Sequence, residues 1–268
     1  MHNQKIGFIG IGNMGQAILT GILKKGLFKA ENIFLYDPYP EQMQPFKKQG
    51  CHLTTSAKEL CEQVEMVFLC IKPQKMEEAL LSIKSAATCD KLFISIAAGI
   101  SIEYIQKILG GNHKVIRIMP NTPLLIGMGA SALSYKPPVS QSEAQMIENI
   151  FGALGVVEIL DESKMSAITA VNGSSPAYIY YVIEAMQRFA LSQGIDEAQA
   201  TQLICATVIG AANMVLQSED KPQRLIEKVT SPGGTTLEAM KVFNRDHMDN
   251  IIIEAMERCT QRADELEK

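Results

Sequence analysis

Gly10-Ile11-Gly12-Asn13-Met14-Gly15 is a G-x-G-x-x-G run. Such a run can hold a pyrophosphate, because each glycine has a separate task. Gly10 permits a tight turn, Gly12 lets the backbone approach the phosphates, and Gly15 lets a helix pack closely on its strand. The first helical turn, with Asn13 and Met14, then offers backbone N–H groups and a partial positive charge. The spacing alone is a weak signal. Here it follows an apolar strand candidate and opens a helical pattern, which is the context the chemistry requires.

Asp37 stands 22 residues beyond Gly15, at the end of the second strand candidate. An acidic residue there bonds the ribose hydroxyls of NAD and repels the extra phosphate of NADP. No Arg stands beside it, so the residues favour NADH over NADPH. The alternative is that Asp37 only starts the turn Asp37-Pro38. Lys72-Pro73, Ala97-Ala98-Gly99 and Asn121-Thr122-Pro123 each follow a strand candidate. Ligands of parallel sheets bind at these carboxyl ends, so Lys72, Pro73, Ala97, Ala98 and Asn121 join the candidate cofactor site.

A second polar, glycine-bearing run lies far along the chain: Val229-Thr230-Ser231-Pro232-Gly233-Gly234-Thr235-Thr236. Successive N–H groups at Gly233, Gly234 and Thr235 can form an anion nest at a helix start, suited to a small carboxylate. Spacing leaves open a plain capping loop with Ser231 or Thr235 as the cap. Ala170-Val171-Asn172-Gly173-Ser174-Ser175-Pro176 is a similar loop feeding a helix. The six cysteines (Cys51, Cys61, Cys70, Cys89, Cys205, Cys259) form no CxxC pair and read as reduced, mostly buried thiols. His2, His52, His113 and His247 are dispersed, with no HExxH, and no metal site is expected.

Two kinds of pattern must position these residues. Up to residue 161, short β-branched runs alternate with helical ones. Strands are expected at 5–10, 32–36, 65–70, 91–96, 115–119, 129–135 and 156–160. Helices are expected near 14–25, 41–49, 74–87, 102–109 and 141–154. This predicts an α/β fold, an N-terminal Rossmann-type doubly wound domain with a parallel sheet. From residue 162 the pattern is all helical, so the expected domains are 1–161 and 162–268. Pro176 opens one helix that Gly194 closes, and Asp196 caps another running to about Gln217. That second helix is apolar nearly all round, and a partner subunit is its natural cover. The net charge of -4, with no basic run longer than two residues, argues against nucleic acid and membrane surfaces as partners. No secretion signal and no apolar stretch near 20 residues is expected, which points to the cytoplasm.

The chain resembles the pyrroline-5-carboxylate reductases of proline synthesis. The likeness rests on Phe8-Ile9-Gly10-x-Gly12-x-Met14-Gly15, Ile71-Lys72-Pro73, Ala97-Ala98-Gly99-Ile100 and Arg117-x-Met119-Pro120-Asn121-Thr122-Pro123. It continues through Gly173-Ser174-x-Pro176-Ala177-Tyr178, Gly210-Ala211-Ala212 and the run from Val229 to Thr236. The resemblance implies reduction of 1-pyrroline-5-carboxylate to L-proline by NADH or NADPH. It also implies a helical domain for substrate binding and dimerisation, with dimers that assemble further, commonly into decamers. On that basis Ser231, Gly233, Gly234 and Thr235 bind the substrate carboxylate, and Thr236 is the catalytic residue at the ring nitrogen. Two positions depart from the family pattern: Asn172, where Ser is usual, and Asn213, where Lys is usual. They leave two alternatives, a non-catalytic dinucleotide-binding regulator and a 3-hydroxyacid dehydrogenase. Asn213 speaks against the second, which would need a helix lysine.

Overall fold

The computed structural model describes residues 3–267; His2 of the metal-ligand reading lies outside them. By compactness the chain divides into one unit of Met1–Ser174 with Glu257–Lys268, and a second of Ser175–Met256.

In the first unit, β1 (Ile6–Ile9), β2 (Ile33–Tyr36), β3 (His52–Leu53), β4 (Met66–Leu69), β5 (Leu92–Ser95), β6 (Lys114–Met119), β7 (Gly129–Tyr135) and β8 (Gly155–Ile159) form one sheet. Its order is β3-β2-β1-β4-β5-β6-β7-β8. All neighbours are parallel except β6 and β7, which pair antiparallel, with Ile116 opposite Tyr135. The expected parallel sheet therefore ends at β6. Only residues 120–128 join β6 to β7, too short a span for a helical crossover of a dozen or more residues, so the chain must turn back.

The intervening helices are α1 (Asn13–Lys24), α2 (Gln44–Lys47), α3 (Ala57–Gln63), α4 (Met76–Ile83), α5 (Ile102–Leu109) and α6 (Gln141–Gly152). They cover both faces, so β1, β4 and β5 are buried along their whole length. Alternation sends Phe8 and Phe68, stacked at 4.6 Å, to one face with Ile18, Ile22, Ile147 and Phe151. Val67, Leu69 and Phe93 go to the other with Leu60, Leu80, Ile105 and Leu109. The strands match the expected runs within about a residue at each end. The expected helix at 41–49 shrinks to a 3₁₀ turn at Pro40–Gln42 and the single turn α2, because Pro45 cannot donate inside a longer helix. The sequence reading missed β3 and α3. The signal for α3 is Ser56-x-x-Glu59, whose serine side chain accepts the Glu59 N–H at 3.1 Å.

The same unit continues through α7 (Met165–Ile168) and a π-helical turn at Thr169–Gly173. It also takes in the last part of α12 (Met248–Leu266). Arg117 on β6, only 3% exposed, pairs with Glu267 at 2.7 Å and with Glu162 at 3.5 Å. Glu162 also accepts the Ile102 N–H at 2.7 Å. One buried guanidinium thus holds the residue at which the helical pattern begins and the residue at which it ends.

The second unit holds α8 (Ser175–Ser192), α9 (Glu197–Gln217), α10 (Pro222–Val229), α11 (Thr235–Arg245) and the start of α12. Pro176 stands in the first turn of α8, and Asp196 caps α9 by accepting from Ala198 and Gln199. α8 and α9 pack around Ala190, Ala200 and Ile204. Most of the unit's apolar surface is exposed in the single chain: Leu203 is 67% and Leu216 81% accessible. α9 corrects the expectation that no apolar stretch approaches 20 residues. It has 21 residues and is apolar enough, by length and composition, to cross a membrane. Ala, Thr, Gly and Asn are interleaved with its aliphatic residues, so no unbroken apolar run marks it in the sequence.

Candidate active site

The strand order reverses on either side of β1, with β2 to one side and β4 to the other. In doubly wound sheets the ligand crevice opens outside the carboxyl ends at this point. The glycine run leaves β1 there. Gly10 has φ +96, and a side chain on it would run into the Cys70 carbonyl beyond β4. A Cβ on Gly15 would lie 2.5 Å from the Gly10 carbonyl oxygen. Gly12 is different: nothing lies within 4 Å of where its Cβ would stand. It is the N-cap of α1, with no side chain capping the helix and no acidic residue in the first turn. Open space above Gly12 and uncapped N–H groups at Asn13 and Met14 fit a dinucleotide pyrophosphate.

Asp37 directly follows β2 and is 8% exposed. One carboxylate oxygen accepts the Ile11 N–H at 2.6 Å and the other the Tyr39 N–H at 2.9 Å. The second bond is the turn that the sequence left as an alternative; the first is a tie to the glycine run that no sequence signal announced. Ile11 is a site residue that sequence reasoning missed, because it acts through its main chain.

Lys72 is exposed at the carboxyl end of β4, and Pro73 begins a 3₁₀ turn beside it. Ala97 is buried after β5, its N–H directed to Ser95 Oγ at 3.4 Å, and Ala98 follows half-buried. Asn121, after β6, is 8% exposed. Its side chain donates to the Asn172 carbonyl at 3.2 Å and accepts the Ala130 N–H at 2.9 Å. The Asn172 side chain donates to the Met119 and Ala130 carbonyls, each at 3.0 Å. These four bonds tie the end of β6 and the start of β7 to the π-helical turn. A serine at 172 is too short to bridge two carbonyls, which gives that departure from the family pattern a physical purpose. The eleven predicted cofactor residues thus gather along the carboxyl ends of β1, β2, β4, β5 and β6.

The predicted substrate residues form one compact turn in the second unit. The Gly234 N–H reaches the Ser231 carbonyl at 2.9 Å, with Pro232 and Gly233 at the corner. Gly233 has φ +72, the left-handed value a type II turn needs at that place. α11 starts directly after, and its N-cap is Gly234, with no side-chain cap bond. This corrects the capping alternative: neither Ser231 nor Thr235 caps α11. Gly234 leaves no room for a side chain, since a Cβ would lie 2.5 Å from Ser231 Oγ. Ser231, Gly233 and Thr235 are exposed, Gly234 and Thr236 half-buried.

Comparison with known proteins places this geometry. The pyrroline-5-carboxylate reductase of Escherichia coli (strain K12) is 37% identical over 266 residues, covering 99% of both chains. That of Haemophilus influenzae is 39% identical over 272 residues, covering 100% of this chain and 99% of its own. The chain belongs to the pyrroline-5-carboxylate reductase family. Its residues 162–266 match the family model described as pyrroline-5-carboxylate reductase dimerisation. Residues 5–99 match that described as NADP oxidoreductase coenzyme F420-dependent. The crystal structure of Plasmodium falciparum pyrroline carboxylate reductase with NADP bound superposes with a TM-score of 0.93, at 28% identity and full coverage of both chains. Family membership makes the chain an NAD(P)-dependent oxidoreductase with a Rossmann-type domain and a helical dimerisation domain. It also accounts for α9 and the other apolar helix faces, which lie within the dimerisation segment.

Proposed function

We propose that this protein reduces 1-pyrroline-5-carboxylate to L-proline, with the nicotinamide cofactor bound along the strand ends and the substrate held at the turn Ser231–Thr236. The observation that carries the substrate reading is the uncapped start of α11. Its first turn has no side-chain cap behind a turn with no side chain at Gly233 and Gly234, although the Gly234 N–H expected in the anion nest is taken by the Ser231 carbonyl, which leaves the Thr235 and Thr236 N–H groups as the donors. That arrangement suits a small carboxylate, with Ser231 and Thr235 flanking it. The bound NADH or NADPH supplies the hydride. The protein's residues bind and orient. A pyrroline nitrogen is basic enough to enter protonated, so no strong general acid is needed. Thr236 Oγ accepts its N–H and sets the reacting face. Orientation is worth up to about 7–11 kcal/mol in favourable cases.

On this reading Gly10, Gly12, Asn13, Met14 and Gly15 hold the pyrophosphate, and Lys72, Pro73, Ala97, Ala98 and Asn121 line the remaining cofactor path. Residues 37–46 contain no Lys or Arg, and the Asp37 carboxylate disfavours a 2′-phosphate, so NADH is the preferred donor. Residues 162–268 are the substrate and dimerisation domain of a homodimer, and dimers assemble into a decamer. All six cysteines are free, which suits a reducing compartment, and the cytoplasm is the assigned location. No observation favours the regulator or the hydroxyacid dehydrogenase.

The activity is tested by proline-dependent NAD reduction at high pH, which a non-catalytic homologue does not show. The site is tested by Thr236→Ala and Thr236→Ser. Losing one hydrogen bond lowers kcat/KM roughly tenfold to a hundredfold in the alanine variant, while serine retains most of it. Wild-type kcat/KM in Thr236→Ala overturns the hydroxyl's role.

A further inference from the structure

An acidic residue at the end of the second strand is ordinarily a ligand of the cofactor ribose. Here both oxygens of Asp37 are already engaged by main-chain N–H groups, and the residue is nearly buried. The bond from Ile11 is short, 2.6 Å, as charge-assisted bonds are. The next peptide of the run is held as well: Gln16 Nε2 donates to the Ile11 carbonyl at 2.9 Å and to Gln42 Oε1 at 2.7 Å. Just upstream, the Gly10 N–H reaches the Tyr36 carbonyl at 2.8 Å. The glycine run is therefore tied to β2 and the segment after it by three separate links.

We propose that Asp37 is a positioning residue that pre-forms the pyrophosphate loop. Its carboxylate takes the Ile11 N–H out of the donor set and leaves those of Asn13 and Met14, at the uncapped start of α1, to meet the phosphates. Its contribution to cofactor affinity comes through the loop and not through a ribose hydroxyl. Pre-ordering the loop removes part of the entropy cost of binding. The inference rests on the nicotinamide-dependent reading above.

Two measurements on the full-length protein test it, each on wild type, Asp37→Ala and Asp37→Asn. The first is hydrogen–deuterium exchange at the Ile11 amide without cofactor. The second is the Kd for NADH and for an NADH analogue lacking both adenosine-ribose hydroxyls. Asp37→Ala is expected to speed Ile11 exchange at least about tenfold and to raise both Kd values by the same factor, on the order of tenfold. Asp37→Asn keeps the size and one acceptor, falls between, and carries the test should the alanine variant not fold. Unchanged Ile11 exchange overturns the proposal. So does a Kd penalty that disappears with the deoxy analogue, which would make Asp37 a ribose ligand. Wild-type protein binding neither NADH nor NADPH would overturn the underlying reading instead, whatever the exchange result.

Discussion

Burial decides the chemistry of the cysteines, and it corrects the expectation that they are mostly buried: only Cys51 and Cys61 are, while Cys70, Cys205 and Cys259 are partly exposed. Burial pushes the thiols of Cys51 and Cys61 up to about 11; for Cys61 the charge of Lys91 opposes the shift and that of Glu62 adds to it. Burial raises Cys70 further still. Cys89 is exposed. At pH 8, brief treatment of the native protein with iodoacetamide should modify Cys89 first and spare Cys51, Cys61 and Cys70, as read by peptide mass spectrometry. The shifts also have a sign for stability. The unfolded chain releases these protons near the ordinary value of 9.0, and the folded chain holds them to about 11. Unfolding therefore liberates protons between those values, and stability falls as pH rises from about 9 to 11. A Tm that stays level across that window would contradict the burial of these thiols. At this scale the sequence marked Gly10, Gly12, Gly15 and the Gly233-Gly234 pair because their spacing is the signal. It did not mark Ile11, whose contribution is a main-chain N–H that any non-proline residue carries.

At the scale of elements, the strands could be read because they are short apolar runs between turn residues. β3 could not, being only two residues long, and α3 was betrayed only by its Ser56-x-x-Glu59 cap. The Arg117 cluster was beyond reach altogether, since it joins residues 45 and 150 positions apart. Its energetics yield an ordering. Glu162→Gln with Glu267→Gln strands a buried guanidinium, which costs about 3–5 kcal/mol. Arg117→Met instead removes the buried charge and frees two carboxylates that are partly exposed and can regain water. It should therefore cost less than the double glutamine variant. Urea unfolding midpoints at one protein concentration give the comparison, and the reverse order would show that the cluster is not held by the arginine.

For the whole molecule, the apolar faces of the second unit make a lone chain unfavourable. Leu203, Ile209, Met214 and Leu216 on α9 are all more than half exposed, well beyond scattered surface hydrophobics. Folding and association are then linked, and the apparent Tm should rise with protein concentration. Ile209→Asp should shift the protein by light scattering from oligomer to smaller or aggregated species. An unchanged mass together with a concentration-independent Tm would place the cover within a single chain.

By itself the sequence determined the doubly wound class, the strand–glycine run–helix unit at Gly10–Gly15, the polar glycine-bearing loop that feeds α11, and an apolar helix in need of cover. These depend on local spacing, which a chain carries whatever its neighbours. Only the tertiary structure decided that the Asn121 and Asn172 side chains together tie the end of β6 and the start of β7 to the π-helical turn, that Arg117 gathers both ends of the helical segment, and that Asp37 spends its carboxylate on the glycine loop. Each of these is a bond between residues distant in sequence, and such partners have no pattern until the chain is folded.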